Sequence, residues 1–173
     1  MEGTPTPPHG GERNIVLFLC TGNYYRSRFA EIYFNWLARR NKLTGWTADS
    51  RGLALNALNP GPISVYTRQF LEQLAVPLPE PVRMPQDASE PDFRTARRIV
   101  ALKEAEHRPL MEQRFPSWAE QVEYWRVHDL DFALPTEALP QVKAHVDELY
   151  SRLLQTHSLS KLLLRSTKSE IPE

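Results

Sequence analysis

The only cysteine of this chain, Cys20, ends an apolar run in the stretch NIVLFLCTGNYYRSRFAE, with Arg26 six positions later and Ser27 beside it. That spacing can do chemistry. Peptide N–H groups between a strand end and a helix start have no intrahelical partner. Curled into a nest, and aided by the helix dipole, they hold an anion. Gly22 permits the tight or left-handed geometry such a curl needs, and Asn23 tolerates it while its amide ties the loop to itself. Thr21, Gly22, Asn23, Tyr24, Tyr25, Arg26 and Ser27 therefore form the candidate phosphate-binding set. The same positive field favours thiolate over thiol at Cys20. Arg26 offers a planar fork that matches two phosphate oxygens. Ser27 has a hydroxyl to donate to the sulfur. A phosphate monoester in this loop would face a ready nucleophile.

Such a loop needs a buried strand before it and a helix after it. Residues 14–19, NIVLFL, read as a strand covered on both faces. A helix is predicted from about Arg26 to Arg40, with Ala30, Tyr33, Phe34 and Leu37 on one stripe. WTADSRGL predicts a second strand, and a helix opened by Pro62 follows, carried by Ile63, Tyr66, Phe70 and Leu74. PLPEPVRMPQD reads as a Pro-dense connector. ARRIVALK predicts a third strand with a helix over Glu104–Arg114, and QVEYWRVHDL a fourth strand. A last helix is predicted from about Thr136 to Leu154 on the stripe Leu139, Val142, Val146, Leu149 and Leu153. Beyond Thr156 both a helical extension and a loose tail fit. The alternation predicts right-handed crossovers and a parallel sheet with helices on both faces, with ligands at the carboxyl ends of the strands. Cys20 and Asp129 each follow a predicted strand, so both are expected on one edge of that sheet.

These residues carry a resemblance. VLFLCTGNYYRSRFAE is similar to the signature of the low-molecular-weight protein tyrosine phosphatases, C-x-G-N-x-x-R-S, with Cys20, Gly22, Asn23, Arg26 and Ser27 matching. DSRGL, IVALKEAEHRPLMEQRFP and WRVHDLDFALP extend the likeness over about residues 14–155. The resemblance implies an α/β fold of three layers, α/β/α, with a four-stranded parallel sheet. It implies a phosphomonoester hydrolase of the protein-tyrosine-phosphatase type, acting through a phosphocysteine on Cys20. Arg26 would bind phosphate and Asp129 would be the general acid and base, with Asp131 as the fallback because Leu130 stands where proline is usual. No metal or cofactor is implied. Other departures are Tyr24 and Tyr25 in the loop, Lys103 at a usually acidic or polar place, and Arg28 where proline is common. Arg28 would add to the local field if it pointed to the mouth.

Composition bounds the rest. Lysine plus arginine equals aspartate plus glutamate at 21 each, which argues against a general nucleic-acid binder. One cysteine cannot form an internal disulfide, so a reduced, cytoplasmic setting is expected. No membrane partner is expected. Residues 1–13 are predicted to be a disordered lead-in, 14–156 the phosphatase domain, and 157–173 an extension or tail. The expected partners are a phosphorylated protein or small phosphate monoester, with phosphate or sulfate able to occupy the loop; the oligomeric state stays open. Two alternatives stand beside the hydrolase. An arsenate reductase would need an external thiol, and a pseudophosphatase would only bind phosphorylated groups. A lone cysteine after a strand is ordinarily a small buried apolar group, so the adjoining G-N-x-x-R-S carries the catalytic reading. His107 is expected on a helix surface or as a cap, and Trp36, Trp118 and Trp125 as core or interface aromatics.

Overall fold

Strand β1 (Asn14–Cys20) runs through the middle of the fold in a computed structural model that describes residues 13–41, 43–126 and 135–168. From Val16 onward every residue of β1 is buried, which only a strand covered on both faces can achieve. β2 (Trp46–Gly52) pairs with it in parallel, from Asn14 opposite Trp46 to Cys20 opposite Gly52. β3 (Arg98–Ala101) flanks its other side, with Leu19 opposite Ala101, and β4 (Glu123–Tyr124) lies beyond β3. The parallel order β2-β1-β3-β4 is that of the three-layer α/β/α fold the sequence implied. The connection out of β1 runs to β2 on one side, and that out of β3 runs to β4 on the other. The carboxyl ends of β1 and β3, with Cys20 at the end of β1, therefore form the topological switch point at which such sheets bind ligands.

The helices are α1 (Arg26–Arg40), α2 (Val65–Gln73), α3 (Glu90–Thr95), α4 (Glu104–Arg114) and α5 (Pro135–Lys168). Val16 and Phe18 pack with Phe29 and Phe34 of α1, Leu71 of α2, and Leu139, Val142, Val146 and Leu149 of α5. Leu17 and Leu19 point the other way, into Phe93 of α3, Met111 of α4 and Phe115. Each such side chain contributes about 1.5–3 kcal/mol on full burial. This two-sided clamp fixes β1 and hence the position of the loop that follows it.

Three elements differ from expectation. α3 follows the Pro-dense connector, where no helix was predicted. It is nucleated by a capping box in which the Ser89 N–H donates to Asp92 Oδ2 at 2.8 Å, with a proline in its first turn. α2 begins at Val65 rather than Pro62, because the Ser64 hydroxyl accepts from the Tyr66 N–H at 3.2 Å and sets the helix start there. β4 is two residues long among the described residues, shorter than QVEYWRVHDL predicted. At the other end α5 continues past Leu154 to Lys168, which favours the extension over the tail.

Candidate active site

Backbone bonds fasten the loop from outside. The Leu53 N–H donates to Cys20 O at 2.9 Å, the Ala54 N–H to Thr21 O at 2.9 Å, and the Ser64 N–H to Tyr24 O at 2.8 Å. Among the described residues, the N–H groups of Thr21, Gly22, Asn23 and Tyr24 meet no protein acceptor. Carbonyls tied outward with amides left over is the donor-rich arrangement of an anion nest. Gly52 lets the strands close beneath it. A Cβ there would stand 2.9 Å from Thr21 O and 2.5 Å from Leu55 Cδ2.

Asn23 holds the nest in shape. Its φ is 47°, the left-handed region that asparagine tolerates, and it is fully buried. Its Nδ2 donates to Ser27 Oγ at 3.0 Å and Ser50 Oγ at 2.8 Å. Its Oδ1 accepts from the Gln86 N–H at 2.9 Å and Arg83 Nη1 at 3.0 Å. The backbone donor at Gln86 fixes which end of the amide is oxygen, so both donors and both acceptor sites of the side chain are used. A direction follows for the bond to Cys20. Ser27 Oγ accepts from Asn23, which leaves its own hydrogen for Cys20 Sγ, 2.9 Å away. An O–H aimed at sulfur stabilises the ionised form.

Arg26 opens α1 and meets an acid from across the sheet. Its Nη2 is 3.0 Å and 3.1 Å from Glu106 Oε1 and Oε2. The Thr21 hydroxyl donates to the same Oε1. Lys103 Nζ stands 3.7 Å from Oε2. Burial alone would push the Glu106 carboxyl up, but the Thr21 hydroxyl and the Arg26 charge outweigh it and hold it down to about 2. Next to it His107 is buried and caps rather than lies on the surface: its Nδ1 accepts from the Lys103 N–H at 3.0 Å. Burial, with Arg26 and Lys103 adding to it, holds His107 down to about 4.

Beneath the loop lies a charged cluster. Arg28 is 1% exposed and does not reach the mouth. Its Nη1 donates to Arg83 O at 2.7 Å, and its Nε is 3.3 Å from Glu31 Oε2. The expected contribution to the mouth is thus replaced by a structural one, because the side chain turns inward to the connector carbonyls. Arg83 Nη2 reaches Glu31 Oε2 at 3.0 Å and Ser50 O at 2.8 Å. Ser50 Oγ donates to Glu31 at 2.6 Å. Burial pushes the Glu31 carboxyl above its ordinary range, against the pull of Arg83, Ser50 and Arg28.

The structure thus brings Cys20, Asn23, Arg26 and Ser27 together, with Thr21 and Gly22 between them. Tyr24 turns its hydroxyl to Pro60 O at 2.7 Å, and Tyr25 packs edge-on to Tyr66, its hydroxyl pushed up to about 12 by burial. Asp129 and Asp131 lie outside the described residues. The Trp125 N–H, just before that segment, donates to Ala101 O at 2.9 Å, so the chain leaves β4 on the edge that carries Cys20. The sequence reading missed Glu106, Arg83 and Ser50. Only Ser50 had a local signal, its place near the end of a strand predicted beside the first.

Comparison with known proteins adds to this geometry. The family model described as low molecular weight phosphotyrosine protein phosphatase matches residues 15–162. A search of curated proteins finds no match. The fold is similar to that of YfkJ from Bacillus subtilis, with a TM-score of 0.70 and 20% identity over 86% of this chain and 98% of that one. It is similar also to SP-PTP, a low molecular weight protein tyrosine phosphatase from Streptococcus pyogenes, with a TM-score of 0.69 and 20% identity over 85% and 97% of the two chains. The YwlE arginine phosphatase from Geobacillus stearothermophilus gives a TM-score of 0.65 at 18% identity over 85% and 96%.

Proposed function

This chain belongs to the low molecular weight phosphotyrosine protein phosphatase family and is a phosphatase, and from that premise we propose that it hydrolyses phosphate monoesters, of the phosphotyrosine class, through a phosphocysteine on Cys20. The observation that carries the reading is the Ser27 Oγ to Cys20 Sγ contact of 2.9 Å inside a loop of unengaged amides. The Cys20 thiolate attacks phosphorus in line, and the bond to the leaving oxygen breaks. Arg26 and the amides of Thr21 to Tyr24 stabilise the three equatorial oxygens, where transition-state charge collects. Asp129 protonates the leaving oxygen. It then takes a proton from the water that attacks phosphorus and expels the thiolate; one group in both roles contributes about 10² to 10⁴ in rate. The reading places the reaction in the cytoplasm, where the lone thiol stays reduced.

The test is hydrolysis of para-nitrophenyl phosphate with vanadate as competitor. Vanadate-sensitive turnover is expected. Cys20→Ser should lose turnover and keep phosphate binding by calorimetry. Turnover that survives the substitution, or a wild-type protein that neither turns over nor binds vanadate, would overturn the proposal.

A further inference from the structure

α5 outlasts the core it packs into. Its buried stripe ends at Leu153, and from Leu154 to Ser166 every residue except the half-buried His157 is exposed. At 1.5 Å per residue the remaining turns carry helix roughly 20 Å past the last core contact. A helix of that length is marginal in water without something to lie against. Leu159, Leu162 and Leu163 are 61%, 62% and 68% exposed. Their spacing of three and four places them on one arc, about 100° wide. Lys161 and Arg165, four apart, fall on the other side of the helix. No aspartate or glutamate occurs between Glu148 and Lys168, a stretch that holds Arg152, Lys161, Arg165 and Lys168; the next acids are Glu170 and Glu173. The zero net charge of the whole chain therefore hides a local excess of positive charge beside an apolar arc.

We propose that the projecting end of α5 is a peripheral membrane anchor, laying Leu159, Leu162 and Leu163 into the headgroup region of an anionic bilayer while Lys161 and Arg165 face lipid phosphates. An apolar arc opposite a cationic face is the composition that lies in such an interface. Among the described residues no helix is long and apolar enough to cross a membrane, so the contact is at the surface. A second copy of the chain offers no acid in this stretch to meet the cations, whereas an anionic bilayer does. This revises the expectation of no membrane partner, which rested on the lack of an apolar run long enough to span a bilayer and so did not address a surface contact.

The test is co-sedimentation of the full chain with vesicles of phosphatidylcholine alone and with about 30% phosphatidylserine, at low and high salt, since such binding is screened within a Debye length. At least tenfold more protein is expected on the anionic vesicles, falling at high salt. The triple variant Leu159→Ser, Leu162→Ser, Leu163→Ser and the double variant Lys161→Glu, Arg165→Glu should each lose at least tenfold. Both should keep wild-type hydrolysis of para-nitrophenyl phosphate, which separates loss of binding from loss of fold. Equal binding to both vesicles, no binding, or binding that survives both variants would overturn the proposal. A dimer in analytical ultracentrifugation that the leucine variant dissolves would do so too, assigning the arc to a second copy.

Discussion

Arg26 Nη2 lies within 3.1 Å of both carboxylate oxygens of Glu106, a residue 80 positions further along the chain. One nitrogen is thus pinned from α4 while the rest of the fork stays available. Glu106→Gln keeps a partner for Thr21 and removes the charge that orients Arg26. The kcat for para-nitrophenyl phosphate should fall about tenfold, or ~1.4 kcal/mol of transition-state stabilisation. An unchanged kcat would show that Arg26 needs no help from α4.

Ser27→Ala removes the hydroxyl 2.9 Å from Cys20 Sγ. Hydrogen bonds to charged groups are worth about 1.5–3 kcal/mol, so kcat should fall roughly ten- to a hundredfold. Phosphate affinity by calorimetry should stay within about threefold, because Asn23 keeps three of its four bonds around the nest and Arg26 is untouched.

Asn23→Ala should cost stability as well as activity. It takes the acceptor from the Gln86 N–H and one partner each from Arg83, Ser27 and Ser50, and leaves alanine at a φ of 47°. A loss of about 3 kcal/mol in denaturant unfolding is expected. Gly52→Ala should instead act mostly on rate. Its new Cβ would meet Thr21 O at 2.9 Å and push the loop while the core stays packed.

Acid should destabilise the protein in two stages. His107 is held down to about 4 in the folded state, below the ordinary 6.5 it regains on unfolding. Its contribution is therefore present above pH 6.5 and lost as pH falls through about 4. Glu106, held down to about 2 from an ordinary 4.5, contributes above pH 4.5 and loses that contribution as pH falls through about 2. After allowance for solvent around Glu106, each stage should amount to about 1–2 kcal/mol. Denaturant midpoints across this pH range check it. His107→Gln should flatten the upper stage and Glu106→Gln the lower.

What could be read beforehand was what neighbours in sequence decide. The run from Val16 to Cys20, the glycine and asparagine after it, and the α5 stripe from Leu139 to Leu153 each follow from local pattern. Glu106 and Arg83 were not legible. They meet the loop only once the sheet brings residues 80 and 60 positions apart together, and no spacing rule encodes that approach. Arg28 misled for a related reason. A charge just inside a helix reads as exposed until Glu31 and the Arg83 carbonyl are found waiting for it. α3 escaped because Pro91 and the proline-dense connector before it masked a capping box in SEPD that was present to be read.

The stretch carrying Arg83 and Gln86 has neither helix nor strand, yet both residues end on Asn23, and Gln86 O accepts from the Gly52 N–H at 2.8 Å. Surface connections of this kind ordinarily absorb insertions and deletions freely. Here the spacer is metered. Adding or removing one residue between Leu74 and Arg83 would slide the guanidinium off its amide, so length, more than composition, is what evolution is free to change least.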